Sequence, residues 1–190
     1  MKKRIGEKRF IKSLKRYFVA VEFSCDVSRE AIRLQNELKK KNFFVGSYTA
    51  EDKFHLTLHF FGNLNREDIV LVRRRLREIE MKKFEVTLGG LDVFNIKDPK
   101  VLFISVRGKG LRELNRLVLE KLRVGESRKF KPHLILVRIM QLFDKRRFLE
   151  ELEKINVSKK RFLVERISLI ESGLSREGRV YKVIEDFELR

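Results

Sequence analysis

His55-Leu56-Thr57-Leu58 and His133-Leu134-Ile135-Leu136 stand 78 positions apart in a chain of 190 residues that holds only three histidines. Each is a histidine opening an apolar run that reads as a strand. The same offset aligns Leu56 with Leu134, Leu58 with Leu136, Phe84 with Phe162 and Val86 with Val164. Around both histidines the elements recur in one order: strand, helix, histidine strand, helix, strand. This duplication is weak by identity, but its order of elements is specific, and it restricts the chain to folds that pair two related halves.

The first half begins with Tyr17–Phe23 as a strand and a helix to about Lys41 capped by Asp26 or Ser28. Phe54–Phe61 forms the histidine strand, stopped by Gly62-Asn63, and Asn65 caps a helix over 66–80. Phe84–Leu88 alternates as a strand ending at Gly89-Gly90. The second half runs through a strand at Val101–Val106, a helix at Leu111–Leu122 and a strand at His133–Ile139. A helix from Asp144 to about Ile155 follows, then strands starting at Phe162 and spanning Arg179–Phe187. The expected class is α+β: a bilobal, pseudo-two-fold molecule with helices outside and a sheet surface shared between the lobes. Residues 1–15 read as a basic tail and 16–190 as one domain, with halves of about 16–95 and 96–190.

Side chains alternate across a strand. His55 and Thr57 therefore share one face, with Leu56, Leu58 and Phe60 opposite. His133 and Ile135 share a face, with Leu134, Leu136 and Arg138 opposite. The leucine faces suit packing under helices, which frees the histidine faces to meet across a cleft. A single strand histidine is more often structural than catalytic. Two at equivalent points of a repeat favour proton transfer, for which imidazole is the side chain best poised near neutral pH. His59 lies on the cleft side by parity, or else on solvated surface. His55 and His59 are about 13 Å apart along a strand, too far to share one ion, so no metal site is expected.

The net charge is +18 and the isoelectric point near 10.2, which favours polyanions such as nucleic acid or an anionic membrane surface. No apolar stretch approaches the roughly 18–20 residues of a membrane span. The basic start Met1-Lys2-Lys3-Arg4 is not followed by a signal-peptide core, so a cytoplasmic protein is expected. The Lys, Arg and Glu richness, with two Gln, one Cys and no Trp, resembles thermophile composition. The lone Cys25 excludes an intramolecular disulfide and reads as a small, partly buried residue.

His55-Leu56-Thr57-Leu58-His59-Phe60-Phe61-Gly62 resembles the first H-x-T-x motif of the two-histidine (2H) phosphoesterase superfamily, in its LigT-type branch of RNA 2′,3′-cyclic phosphodiesterases, also called 2′-5′ RNA ligases. Phe130-Lys131-Pro132-His133-Leu134-Ile135-Leu136-Val137-Arg138 is similar to the second motif. Arg16–Val21, Glu171-Ser172 and Val180–Val183 resemble the opening and closing strands, so the likeness spans about residues 16–189. It implies antiparallel sheets lining a central cleft. It also implies hydrolysis of RNA 2′,3′-cyclic phosphate ends to 2′-phosphomonoesters without metal or cofactor, with reversible 2′-5′ ligation as a further activity. His55 is then the acid and His133 the base, while Thr57 and Arg138 contact phosphate. Arg138 needs a bend in its strand to reach it. Phe18 or Tyr17 offers a base-stacking surface, with core packing the alternative for Phe18. The implied partner is RNA with 2′,3′-cyclic phosphate ends, tRNA fragments included, and the implied state a monomer. Ile135 departs from the Thr or Ser of the second motif. That departure motivates the alternatives of an RNA-end-binding module with little or no turnover, or a phosphodiesterase for small cyclic nucleotides.

Overall fold

The computed structural model describes residues 15–125, 129–175 and 178–190. The basic tail lies outside the described residues apart from Lys15, which pairs with Glu171 at 3.0 Å. In chain order the elements are β1 (Arg16–Glu22), α1 (Cys25–Lys41), β2 (Phe44–Tyr48), a 3₁₀ turn (Glu51–Lys53), β3 (His55–Asn63), α2 (Arg66–Arg77) and β4 (Phe84–Val93). They continue with β5 (Val101–Arg107), α3 (Lys109–Leu122), β6 (His133–Leu142), α4 (Lys145–Lys154), β7 (Arg161–Val164), β8 (Arg166–Ser175) and β9 (Gly178–Glu188).

The helices follow from apolar spacing and caps. Val27, Ala31, Leu34 and Leu38 form the buried stripe of α1, and Leu111, Leu114, Val118 and Leu122 that of α3. Asn65 starts α2 in a reciprocal capping box with Asp68. The Asp144 side chain accepts from the Arg147 amide to start α4. At α1 the N-cap is Ser24, ahead of the expected Asp26 or Ser28, because the Ser28 amide already donates to the Ser24 carbonyl. Cys25 consequently stands exposed in the first turn of α1, where partial burial was expected. Strand β4 does not end at Gly89-Gly90: it passes through a pairing irregularity there and runs on to Val93.

All strand pairs are antiparallel, in two sheets of order β3-β1-β8-β9 and β2-β6-β5-β4-β7. Each sheet draws strands from both halves of the sequence, so a boundary near residue 95 does not separate the lobes. The histidine strands are neighbours of the matching strands β1 and β5. Helix α1 leaves the first sheet and packs against β6 of the second, whereas α3 leaves the second and packs against β3 of the first. One core runs between these layers and includes the buried Leu56, Leu58, Leu134 and Leu136. A small second cluster of Phe18, Ala20 and Ile170 lies on the other side of the first sheet.

Asn65→Ala removes one half of the α2 capping box and is expected to lower unfolding free energy by about 1 kcal/mol. A urea titration reads this as a lower midpoint at unchanged slope.

Candidate active site

Each histidine strand bulges at a leucine against its neighbour. Val19 pairs with His59 and Ala20 with Thr57, which leaves Leu58 without a partner on β1. Leu102 pairs with Val137 and Phe103 with Ile135, which leaves Leu136 without one on β5. These are bulges at equivalent points of the repeat. A bulge inserts one residue and reverses the alternation beyond it. Arg138 is thereby turned from the leucine side to the histidine side, which supplies the bend its sequence position required. Phe60, at the position equivalent to Arg138, turns the same way.

The result is a cleft of about 620 Å³ between the sheets, entered by His55, Thr57 and Phe60 from β3 and by His133, Ile135 and Arg138 from β6. His59 is not among its lining residues; the Leu58 bulge rotates it away, and its ring packs 4.9 Å from that of Phe61. Among the described residues no three His, Cys, Asp or Glu side chains converge where a metal ion could be held.

The two imidazoles are held alike. His55 Nδ1 lies 2.8 Å from the carbonyl of Lys53 and His133 Nδ1 lies 2.6 Å from that of Lys131. A carbonyl only accepts, so each Nδ1 carries the proton and each Nε2 is left to exchange one with a ligand. Aromatic rings pack each imidazole. Phe18 and Tyr181 stand 4.8 and 5.3 Å from His55, while Phe94 and Phe103 stand 4.7 and 5.4 Å from His133.

This packing sets the charge state. Burial lowers the His55 pKa from 6.5 to about 4; the hydrogen bond to Lys53 opposes the shift, and His133 and Arg138 add to it. Burial also lowers His133, opposed by the bond to Lys131 and reinforced by the Lys131 and Arg138 charges. At neutral pH both imidazoles are therefore neutral in the free protein. Burial raises the Tyr181 hydroxyl above its usual range, so it remains a proton-bearing donor in the cleft.

Tyr17 and Phe18 part company. Tyr17, 4% exposed, faces the main core and donates its hydroxyl to Glu171 at 2.7 Å. It lies across the strand from the cleft and offers no stacking surface there. Phe18 is on the cleft side but only 2% exposed, packed under His55 and Tyr181. It supports the imidazole; a base has no access to its face. The exposed ring in the cleft is Phe60, at 51%. Sequence alternation placed it among the leucines, but the 78-residue offset that pairs it with Arg138 was a signal for it.

Two further walls were missed. Ser47 and Tyr48 enter from β2, and Arg179 and Tyr181 from β9. Strand β2 is interrupted by Gly46, which obscured its pattern. A side chain there would bring its Cβ to 2.7 Å from the Arg138 carbonyl, so glycine is what permits β2 to pair beside Arg138. Tyr181 lies in a strand that the sequence did indicate, but nothing local marks its ring as facing a histidine.

Burying neutral histidines makes stability pH-dependent. The folded pKa values lie below 6.5, so the unfolded chain binds more protons as pH falls from there toward about 4. Stability held above pH 6.5 is lost across that window. The thermal midpoint of the wild type is expected to fall more steeply there than that of a His55→Ala, His133→Ala double variant, as followed by circular dichroism.

Residues 21–103 match the family model of LigT-like phosphoesterases. Over 186 residues the chain is 31% identical to the RNA 2′,3′-cyclic phosphodiesterase of Aquifex aeolicus, covering 92% of this chain and 97% of that one. The crystal structure of Escherichia coli LigT without ligand superposes with a TM-score of 0.75 at 20% identity, covering 94% of this chain and 99% of that one. A Thermus thermophilus protein superposes at 0.73 with 26% identity, covering 92% and 98%. With its paired histidine strands facing one cleft, the chain belongs to the LigT-like phosphoesterase family.

Proposed function

We propose that this protein hydrolyses RNA 2′,3′-cyclic phosphate ends to 2′-phosphomonoesters, with the two histidines exchanging protons and no metal required. The observation that carries the reading is the matched pair of imidazoles in one cleft, each with Nδ1 tied to a carbonyl two residues earlier. The relatives' activity and the cleft's cations, Arg138, Arg179 and Lys53, support it.

In this reading the cyclic phosphate sits between the rings. His133 Nε2 takes a proton from water as the water oxygen bonds to phosphorus. The P–O3′ bond breaks, and His55 Nε2 gives its proton to the departing ribose oxygen, leaving a 2′-phosphate and a 3′-hydroxyl. Proton exchange with solvent resets both rings. Thr57 and Tyr181 hydroxyls donate to non-bridging oxygens as charge develops, and Arg138 binds the phosphate with its planar fork. The terminal base lies on the exposed face of Phe60, on the acid's side of the cleft. Longer RNA is held by the surrounding positive charge; with an RNA 5′-hydroxyl in place of water as the nucleophile, the same step breaks P–O3′ and forms a 2′-5′ phosphodiester, and its reversal regenerates the cyclic phosphate. The working form is a cytoplasmic monomer, with tRNA fragments among its substrates.

Catalysis needs one imidazolium and one neutral ring, although both rings are neutral in the free protein at pH 7. The phosphate anion favours the imidazolium and raises that ring's pKa on binding. Productive free protein is most abundant between the pair's two macroscopic pKa values, below 6.5. Thus kcat/KM is expected to fall about tenfold per pH unit above neutrality, with the decline in kcat displaced to higher pH.

The direct test uses RNA ending in a 2′,3′-cyclic phosphate, with and without EDTA. Product with a 2′-phosphate is expected in both. His55→Ala and His133→Ala are each expected to lower kcat by about 10²–10⁴, and Thr57→Val by about 10²–10³. Unchanged activity in both histidine variants would overturn the mechanism.

Ile135 favours a second reading in which RNA ends are bound with little turnover, because an alkyl chain lines the cleft at the repeat position equivalent to Thr57. Ile135→Thr discriminates: a rise in kcat at unchanged KM identifies a missing donor. Robust wild-type turnover that this substitution does not improve discards the binding-only reading.

A further inference from the structure

The two bulges that shape the cleft are held from behind by buried amides on the outer helices. Gln35, in the buried stripe of α1 and 3% exposed, donates from one nitrogen to the Leu136 carbonyl at 2.9 Å and to the Thr49 carbonyl at 2.8 Å. The Thr49 amide donates to that same Leu136 carbonyl at 2.9 Å. Asn115, in the buried stripe of α3 and 6% exposed, donates to the Leu58 carbonyl at 2.8 Å. Leu58 and Leu136 are the bulged residues at equivalent points of the two histidine strands, without a partner on β1 and β5 respectively. Two helices from different halves thus place an amide on equivalent bulge carbonyls.

Buried amides among aliphatic side chains are costly unless fully bonded. Packing alone does not call for them, since leucine would fill either place. Their common feature is the carbonyl that each satisfies, two residues before the side chain that the bulge turns into the cleft. We infer that Gln35 and Asn115 are positioning residues: Gln35 sets Arg138, and Asn115 sets Phe60. Gln35 also ties the bulge to the connection that carries Thr49 and Lys53, whose carbonyl orients His55. That side chain reinforces the Thr49–Leu136 backbone bond, so that the second sheet's cation and the first sheet's imidazole are held at a common spacing. The inference rests on the cleft being a phosphate site.

Inorganic phosphate is the probe, its affinity measured by titration calorimetry on the full chain. Gln35→Leu is expected to weaken phosphate binding roughly tenfold, within the range of coupling between contacting residues. In the Arg138→Ala background the same substitution is expected to cost less than twofold. Asn115→Leu, an equally buried loss on the other bulge, is expected to combine additively with Arg138→Ala. On RNA with a 2′,3′-cyclic phosphate, Gln35→Leu raises KM by more than it lowers kcat. Gln35→Asn keeps the amide but is one methylene too short to reach both carbonyls; it serves if the leucine variant does not fold and is expected to show the same coupling. Additivity of Gln35 with Arg138, or equal coupling of Gln35 and Asn115 to Arg138, overturns the inference as general loosening of the fold. Specific coupling in phosphate binding without RNA turnover keeps the inference and overturns the assigned reaction. Turnover without that coupling does the reverse.

Discussion

A bulged leucine in each histidine strand governs the cleft. Without the bulges at Leu58 and Leu136, strict alternation would place Phe60 and Arg138 in the leucine core and bring His59 to the cleft wall. A guanidinium among leucines would lack solvent and partners, a burial that costs several kcal/mol. With the bulges, the histidine and the residue five positions on share a face, although their spacing is odd. Each strand brings an imidazole and the side chain five positions on into one cleft from a stretch of nine or ten residues.

The duplication holds in its backbone devices and diverges in its side chains. Both strands use a leucine bulge, an Nδ1 anchor to the carbonyl two residues back and a helix amide behind the bulge carbonyl. At the variable points, Thr57 corresponds to Ile135 and Phe60 to Arg138, and all four line the cleft. At these points one histidine strand is thus aromatic and hydroxylated, the other cationic and aliphatic. A symmetric scaffold carrying unlike side chains gives two chemically equal histidines unlike surroundings, as the proposed acid and base pair requires.

Aromatic packing has a cost and a use. The rings around each imidazole exclude water and lower both histidine pKa values, so protonating either ring in the empty cleft is unfavourable. An anionic ligand reverses that balance locally, because it is itself the counter-charge. In the proposed reaction, loading of the acid is thereby linked to arrival of the phosphate.

The histidine strands, Thr57 and most element positions were legible because they rest on local rules: alternation, helical spacing, and caps such as Asn65 and Asp144. The interleaving of sheets was not, since β2 is broken by Gly46 and its place beside β6 depends on a close backbone approach. Tyr17 and Phe18 are adjacent and chemically alike, and only the face each takes in β1 separates a core hydroxyl from a support under His55. By itself the sequence determined that two halves would each present a histidine on an apolar strand. Which residues join them was decided by tertiary structure, because a bulge is defined by the neighbouring strand that fails to match it.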